Sequence, residues 1–232
     1  MYFIRKIKSL SKFELGLWLF SLAVVTVSSV LSPVFDVLSL TGSLIGVTAL
    51  IFVAKGDPLG QVLTVVFSVF YGIISYSFRY YGEMITYLGM SAPIAALAVV
   101  SWLRNPYEAG KAEVRVNRLK GTEVLLLAVL TAAVTGAFYF ILRFFDTANL
   151  IPSTVSVTTS FLASYLTFRR SPFYALAYAA NDVILIVLWV LASVTDPSYL
   201  PMVLCFTMFF LNDTYGFVNW QRMQRRQRGQ CH

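Results

Sequence analysis

The sequence has few of the residues on which metal sites, disulfides and soluble surfaces depend. Its only histidine is His232, the last residue, and its two cysteines are Cys205 and Cys231. They match no zinc or disulfide pattern, so we expect neither a metal nor a cofactor. Charged residues make up only 12% of the chain, against about 25% in an average soluble protein. A separate soluble domain is therefore excluded.

Motifs of several membrane enzymes and motors are also missing. No Gly-Lys-Ser or Gly-Lys-Thr loop occurs, which excludes a built-in ATPase. No Gly-x-Ser-x-Gly or paired-histidine motif indicates a hydrolase, and no regular arginine series indicates a voltage sensor. A membrane enzyme or scaffold stays the less favoured alternative, because it would gather polar residues at one interface rather than at mid-depth.

Hydrophobic residues make up 58% of the chain and fall into long runs. The runs form eight segments of roughly 18–23 residues, about the length that a helix needs to cross a bilayer. The predicted spans are residues 13–31, 37–54, 59–78, 83–103, 123–144, 150–168, 173–194 and 199–220. No small-residue cleavage site follows the first run, so we expect an uncleaved helix there. The sequence predicts an all-α membrane protein with one transmembrane domain.

The positions of lysine and arginine predict the orientation of these spans. Of the 18 lysine and arginine residues, all but Arg79 and Arg143 lie in every second connection or in the two tails. Cytoplasmic loops carry the excess of positive charge in membrane proteins, so both termini are predicted to be cytoplasmic. Anionic lipid of the inner leaflet accounts for the net charge of +7, and membrane lipids rather than nucleic acid are the expected partner.

Two short turns point to an internal repeat. Residues 55–58 and 169–172 are both basic, and both end in a proline that begins the next helix. The spans that close the two halves end in Trp102 and Trp220. We expect two three-helix units of the same orientation, joined by a linker helix, in the 3+1+3 parallel arrangement of SWEET-like transporters. The units are residues 37–103 and 150–220, the linker is 123–144, and 13–31 is a peripheral helix.

Polar and aromatic side chains gather at the centre of the seventh predicted span and in the cytoplasmic half of the eighth. Ionisable groups inside a membrane usually mark a pathway or a site. Spacings of three, four and seven residues place several of these side chains on shared helix faces. Rings beside amides and a carboxyl group suit a flat heteroaromatic ligand that carries a sugar. The candidates are Tyr178, Asn181, Asp182, Trp189, Asn212 and Tyr215.

Two earlier spans supply further candidates for a pocket lining. Gln61, Ser68 and Tyr71 lie in the third span, and Thr158 lies in the sixth. The alternative for each is a hydrogen bond that holds two helices together, worth roughly 0.6 kcal/mol per contact. For the serine- and threonine-rich sixth span, helix packing is the favoured interpretation.

The last two spans also carry motifs of a known family. The stretch from Tyr178 to Leu185 with Trp189, and the stretch from Asn212 to Trp220, resemble the PnuC family of bacterial vitamin transporters. The resemblance covers the chain from about Val37. The Asn-x-x-Tyr motif of that family falls on Asn212 and Tyr215. Its tryptophan-rich motif on the preceding span falls on Tyr178 and Asp182, where this chain departs from it.

The resemblance implies a function and an assembly. It implies facilitated diffusion of nicotinamide riboside across the inner membrane, with intracellular phosphorylation trapping the substrate for NAD biosynthesis. It also implies a 3+1+3 helix arrangement and a homotrimer. Relatives of the family carry thiamine or other B vitamins, so a transporter of the same fold for one of these stays the alternative.

Overall fold

A computed structural model describes residues 2–77, 80–108, 112–147 and 149–229, with only the backbone described for residues 2 and 3. Arg79, Lys111, Cys231 and His232 lie outside these ranges. The described residues form ten α-helices, one π-helical turn and one 3₁₀ turn. The helices are α1 (Tyr2–Lys8), α2 (Lys12–Val30), α3 (Val37–Ala54), α4 (Pro58–Ser77), α5 (Tyr81–Thr86), α6 (Ala92–Leu103), α7 (Gly121–Phe144), α8 (Leu150–Phe168), α9 (Tyr174–Thr195) and α10 (Leu200–Gly229).

Seven stretches among the described residues are long and apolar enough to cross a membrane. Six of them contain α2, α3, α4, α7, α9 and α10, and one runs through α5 and α6 from Tyr81 to Leu103. The predicted sixth span, α8, has 19 residues but is not among the seven. Its many serine and threonine side chains lower its hydropathy.

The predicted fourth span, 83–103, is interrupted. A π-helical turn, Tyr87–Ser91, separates α5 from α6 just before Pro93. Proline has no N–H for the helical hydrogen bond, and its ring clashes with the carbonyl one turn earlier. The wider turn accommodates both effects, as is common at π-bulges next to proline.

Both chain ends are more helical than the sequence suggested. The last predicted span, 199–220, continues as α10 to Gly229. Gln227 anchors this extension to the long connection between α6 and α7, where its Nε2 donates to Glu113 at 2.9 Å and its Oε1 accepts from the Val116 amide at 2.8 Å. The N-terminal segment forms the short helix α1, followed by a capping box of Ser11 and Glu14 at the start of α2.

The turns 55–58 and 169–172 lie at one end of the bundle, here called the basic end, and have the same backbone conformation. Gly56 and Arg170 adopt left-handed φ angles of 68° and 57°. In one turn Asp57 N–H donates to Phe52, and in the other Ser171 N–H donates to Leu166, each at 2.9 Å. Both turns are therefore Schellman-type helix ends.

Two tryptophans tie the two halves of the chain together at the basic end. Trp102 Nε1 donates to the Thr167 carbonyl at 2.9 Å, and Trp220 Nε1 donates to the Val53 carbonyl at 2.9 Å. Each acceptor lies two residues before Lys55 or Arg169, the first residue of its turn. The two indole rings lie 5.4 Å apart, so the contacts form one reciprocal brace.

Helix α2 lies against α3 and α10, with an apolar outward face. Trp18 Nε1 donates to Thr48 on α3 at 3.1 Å. Leu19, Phe20 and Val27 on the other side are more than half exposed. Helix α2 therefore lies at the outside of the bundle, and several of its contacts with α3 and α10 are hydrogen bonds.

Candidate functional site

A small cavity lies inside the bundle between α3, α4, α8, α9, α10 and the π-helical turn. Its volume is about 50 Å³, the space of one or two water molecules. The polar residues that line it are Gln61, Thr64, Ser68, Ser91, Ser160, Tyr178, Asn181, Asp182 and Asp213. The remaining lining is aliphatic, aromatic and glycine.

Asn181 is held on the wall of this cavity by helix α8. Its Oδ1 accepts hydrogen bonds from the hydroxyls of Ser156, Thr159 and Ser160 at 3.2, 2.8 and 3.0 Å. The serine- and threonine-rich sequence of α8 therefore orients one amide on α9. With the oxygen fully engaged, the NH₂ group of Asn181 is the part of the side chain left to meet a ligand.

Two carboxyl groups, those of Asp182 on α9 and Asp213 on α10, meet at the cavity. Each residue is only 3% exposed, and the two carboxyl groups are close enough to interact across the helix interface. Asp182 Oδ2 has no hydrogen-bond partner among the described residues. None of the described residues that line the cavity is basic, so its electrostatic character is acidic.

Aromatic rings close the cavity on the side away from the basic end. Phe67 packs edge-on against Phe209 and Tyr87, with ring centroids 5.3 and 5.9 Å away. Gly46 on α3 makes this packing possible, because a Cβ there would lie 2.4 Å from Phe209 Cζ and 2.9 Å from Phe67. The site thus combines rings, an amide, hydroxyls and two carboxyl groups.

A family model described as nicotinamide mononucleotide transporter matches residues 36–222. The chain belongs to this family. The expectation from the motifs of the last two spans is confirmed. With seven apolar stretches of spanning length, the family member described here is a multi-pass membrane protein of a transporter family.

Two similar proteins support the family assignment. The nicotinamide riboside transporter PnuC of Neisseria mucosa is 26% identical over 189 residues, which are 80% of this chain and 72% of the relative. A crystal structure of the vitamin B3 transporter PnuC superposes with a TM-score of 0.82 over 94% of both chains, at 23% identity. The structural likeness concerns the fold.

Five of the ten residues predicted from the sequence line the cavity of this family member. They are Gln61, Ser68, Tyr178, Asn181 and Asp182. Tyr178 also comes within 3.3 Å of the Ser164 hydroxyl on α8. The polar stripe on α4 and the centre of α9 thus converge, although more than 110 residues separate them in the chain.

Three further predicted residues do not line the cavity. Trp189 Nε1 donates to Tyr71 Oη at 2.9 Å, and both side chains are buried. The Tyr71 ring packs against Tyr87, with centroids 4.4 Å apart, so this pair lies behind the lining aromatics. The Thr158 hydroxyl instead lies 2.8 Å from the Thr135 hydroxyl on α7. Thr158 therefore makes a hydrogen bond between two helices, which was the alternative to a role in the pocket.

Asn212 and Tyr215, the residues on the family's Asn-x-x-Tyr motif, face helix α2. Asn212 Nδ2 donates to Ser21 at 3.0 Å and to the Met208 carbonyl at 2.8 Å. Tyr215 Oη donates to Glu14 at 3.0 Å. Glu14 also lies 3.4 Å from Lys55 Nζ. In this structure the motif joins α10 to the helix expected to be peripheral.

The sequence reasoning missed Phe67, Tyr87, Phe209 and Asp213 as lining residues. On α10 a signal was available, because Phe209 and Asp213 are four residues apart and share a face with Gly216. The spacing of Asn212 and Tyr215 instead favours the neighbouring face. Which face meets the cavity depends on where α2 packs.

Proposed function

We propose that this protein carries nicotinamide riboside across the bacterial inner membrane by facilitated diffusion, as a uniporter rather than an enzyme. The observation that carries the proposal is the buried cavity in which Asn181, Asp182 and Asp213 meet aromatic rings. Rings suit the pyridine, and the amide, hydroxyl and carboxyl groups suit the carboxamide and the ribose hydroxyls. Intracellular phosphorylation would trap the substrate for NAD biosynthesis.

The acidic lining favours the riboside over the mononucleotide. A phosphate group needs basic side chains or several N–H donors, whereas the described lining holds two carboxyl groups and no base. The name of the Neisseria relative mentions the riboside, in agreement with this electrostatic argument. The family description mentions the mononucleotide, which we expect to be excluded.

We propose eight spans, with α8 as the one of lowest hydropathy, and cytoplasmic termini. The hydroxyls of α8 are satisfied without water. Thr154, Thr158 and Thr167 donate to the carbonyls four residues earlier at 2.8–2.9 Å, and others donate to Asn181. A helix whose polar groups are bonded internally can lie inside a membrane protein. The basic end then faces the cytoplasm.

We further propose that α3–α6 and α8–α10 are parallel repeats, with α7 as their linker and α2 as the added helix. The matching Schellman turns and the reciprocal Trp102 and Trp220 bonds support a two-fold axis along the membrane normal. Ser101 donates to Phe168 and Asn219 donates to Ala54, which extends the same correspondence by one residue. The exposed faces of α2 and α7 would contact lipid or, in a homotrimer, another subunit.

Substrate entry must enlarge the cavity. Its volume of about 50 Å³ is far below the roughly 300 Å³ of small ligand sites. We therefore expect the two repeats to part on one side of the site at a time. In this structure the Trp102 and Trp220 hydrogen bonds hold them together at the basic end.

Uptake of radiolabelled nicotinamide riboside into proteoliposomes tests the proposal. We expect saturable, downhill uptake of the unchanged compound, without a requirement for ATP or an ion gradient. Unlabelled riboside should compete, and the mononucleotide should not. Liposomes without protein provide the background control. Equal competition by thiamine would favour the alternative vitamin, and chemical conversion of the label would indicate an enzyme.

A further inference from the structure

The cavity places two buried carboxyl groups opposite a ring of aromatic side chains. Asp182 and Asp213 come from different helices, and each is 3% exposed. Burying a carboxylate away from water is costly unless an opposite charge or hydrogen bonds compensate it. Among the described lining residues no lysine, arginine or histidine supplies that charge. A positively charged ligand would supply that charge.

Asp213 is the polar residue of α10 that a ligand in this cavity would meet. Asn212 and Tyr215, its neighbours on the same helix, are bonded to Ser21 and Glu14 of α2. Phe209, one turn before Asp213, lines the same wall. The carboxyl group of Asp182 faces it from α9, with Oδ2 unpartnered among the described residues.

The aromatic rings add a second preference for positive charge. Phe67, Tyr87, Tyr178 and Phe209 all line the cavity. An organic cation within about 6 Å of a ring face is attracted to the electron-rich face, most strongly when both partners are desolvated. A carboxyl pair that shares one proton carries one negative charge, which balances one cationic ring.

We propose that Asp182 and Asp213 select the substrate by its permanent positive charge, and that Asp213 is the specificity-determining residue of α10. This inference rests on the proposed function. The pyridinium ring of nicotinamide riboside carries that charge. The reduced dihydropyridine riboside has almost the same shape and the same sugar but is neutral. The site should therefore discriminate between the two.

Calorimetric titration of the full chain in nanodiscs tests this with two probes, nicotinamide riboside and its dihydro form. Wild-type protein should bind the dihydro form at least about tenfold more weakly. In Asp213→Asn, the affinity for the cationic riboside should fall by at least about tenfold, while that for the dihydro form should stay within about threefold. Asp146→Asn, the same change at an exposed turn, should match wild type.

The dihydro form also reports that the variant is folded. If Asp213→Asn binds neither compound, Asp182→Asn decides by the same two titrations. Equal wild-type affinities for the two ribosides, or undiminished riboside affinity in both aspartate variants, would overturn the charge selection. Either result would still be compatible with riboside uptake by the wild-type protein. Absence of uptake by wild-type proteoliposomes would instead overturn the proposed function itself.

Discussion

Helix α10 has two polar faces that meet different neighbours. On one face, Asn212 and Tyr215 donate hydrogen bonds to Ser21 and Glu14 of α2. On the other face, Asp213 lines the cavity together with Phe209 and lies close to Asp182. The first face is typical of a contact between two helices, because its side-chain donors bond to the neighbouring helix. The second face has a carboxyl group set among rings and another acid, which is typical of a ligand site.

The comparison shows that neighbouring residues of one motif can belong to different functions. Consecutive residues on an α-helix point about 100° apart, because a turn contains about 3.6 residues. Two consecutive residues can nevertheless line one cavity, as Asn181 and Asp182 do on α9, so periodicity alone does not separate Asn212 from Asp213. The proximity of α2 assigns Asn212 to helix contact and leaves Asp213 to the site.

The largest effect on riboside uptake should come from a bulky side chain beside the cavity. Gly46→Val places a branched side chain where even a Cβ would lie 2.4 Å from Phe209. Overpacking of this kind displaces rings into the cavity, so we expect riboside uptake to fall by at least about tenfold. The matched control is Gly136→Val on α7, where a Cβ meets nothing within 4 Å. Unchanged uptake by the Gly46 variant would place the substrate elsewhere.

The second-largest effect on riboside binding should come from replacing Asn181, which the hydroxyls of α8 orient. Asn181→Ala removes the acceptor of three hydroxyls on α8. We expect weaker riboside binding and a loss of about 1–2 kcal/mol of stability, measured by thermal unfolding in detergent. Thr135→Ala, which removes one interhelical contact, should cost less and leave binding intact. Comparable losses in both variants would contradict a special role for Asn181.

Asn212→Ala tests the comparison most directly. The family motif predicts that this substitution abolishes riboside binding. The contact between Asn212 and Ser21 predicts instead an affinity within about threefold of wild type and a stability lower by roughly 1 kcal/mol. Titration and thermal unfolding of one sample distinguish the two. Lost binding without lost stability would return Asn212 to the substrate site.

The smallest effect should follow Tyr215→Phe. It removes one half-buried hydroxyl bond to Glu14, so we expect less than about 1 kcal/mol of destabilisation. Riboside affinity should not change, because the ring remains packed against Phe13, 5.1 Å away. A clear fall in affinity by calorimetry would show that the α2 face of α10 communicates with the cavity.

Sequence patterns predicted the helices well wherever apolar length and turn residues agree. The predicted spans 37–54 and 150–168 coincide with α3 and α8, and the turns around Lys55 and Arg169 were recognised by their prolines. The π-helical turn was harder to foresee, because proline signals a distortion without specifying its form. The extension of α10 was missed because it depends on Gln227 reaching the distant loop residues Glu113 and Val116.

The sequence by itself determined that this chain is a multi-pass helical membrane protein of a vitamin transporter family, since hydrophobic length and short motifs are local properties. It also predicted that Asn181 and Asp182 lie at mid-depth. Only the tertiary structure decided which candidates line one cavity. Helical periodicity defines faces, but packing chooses what each face meets, and here the position of α2 assigns Asn212 and Tyr215 to helix contact and Asp213 to the cavity.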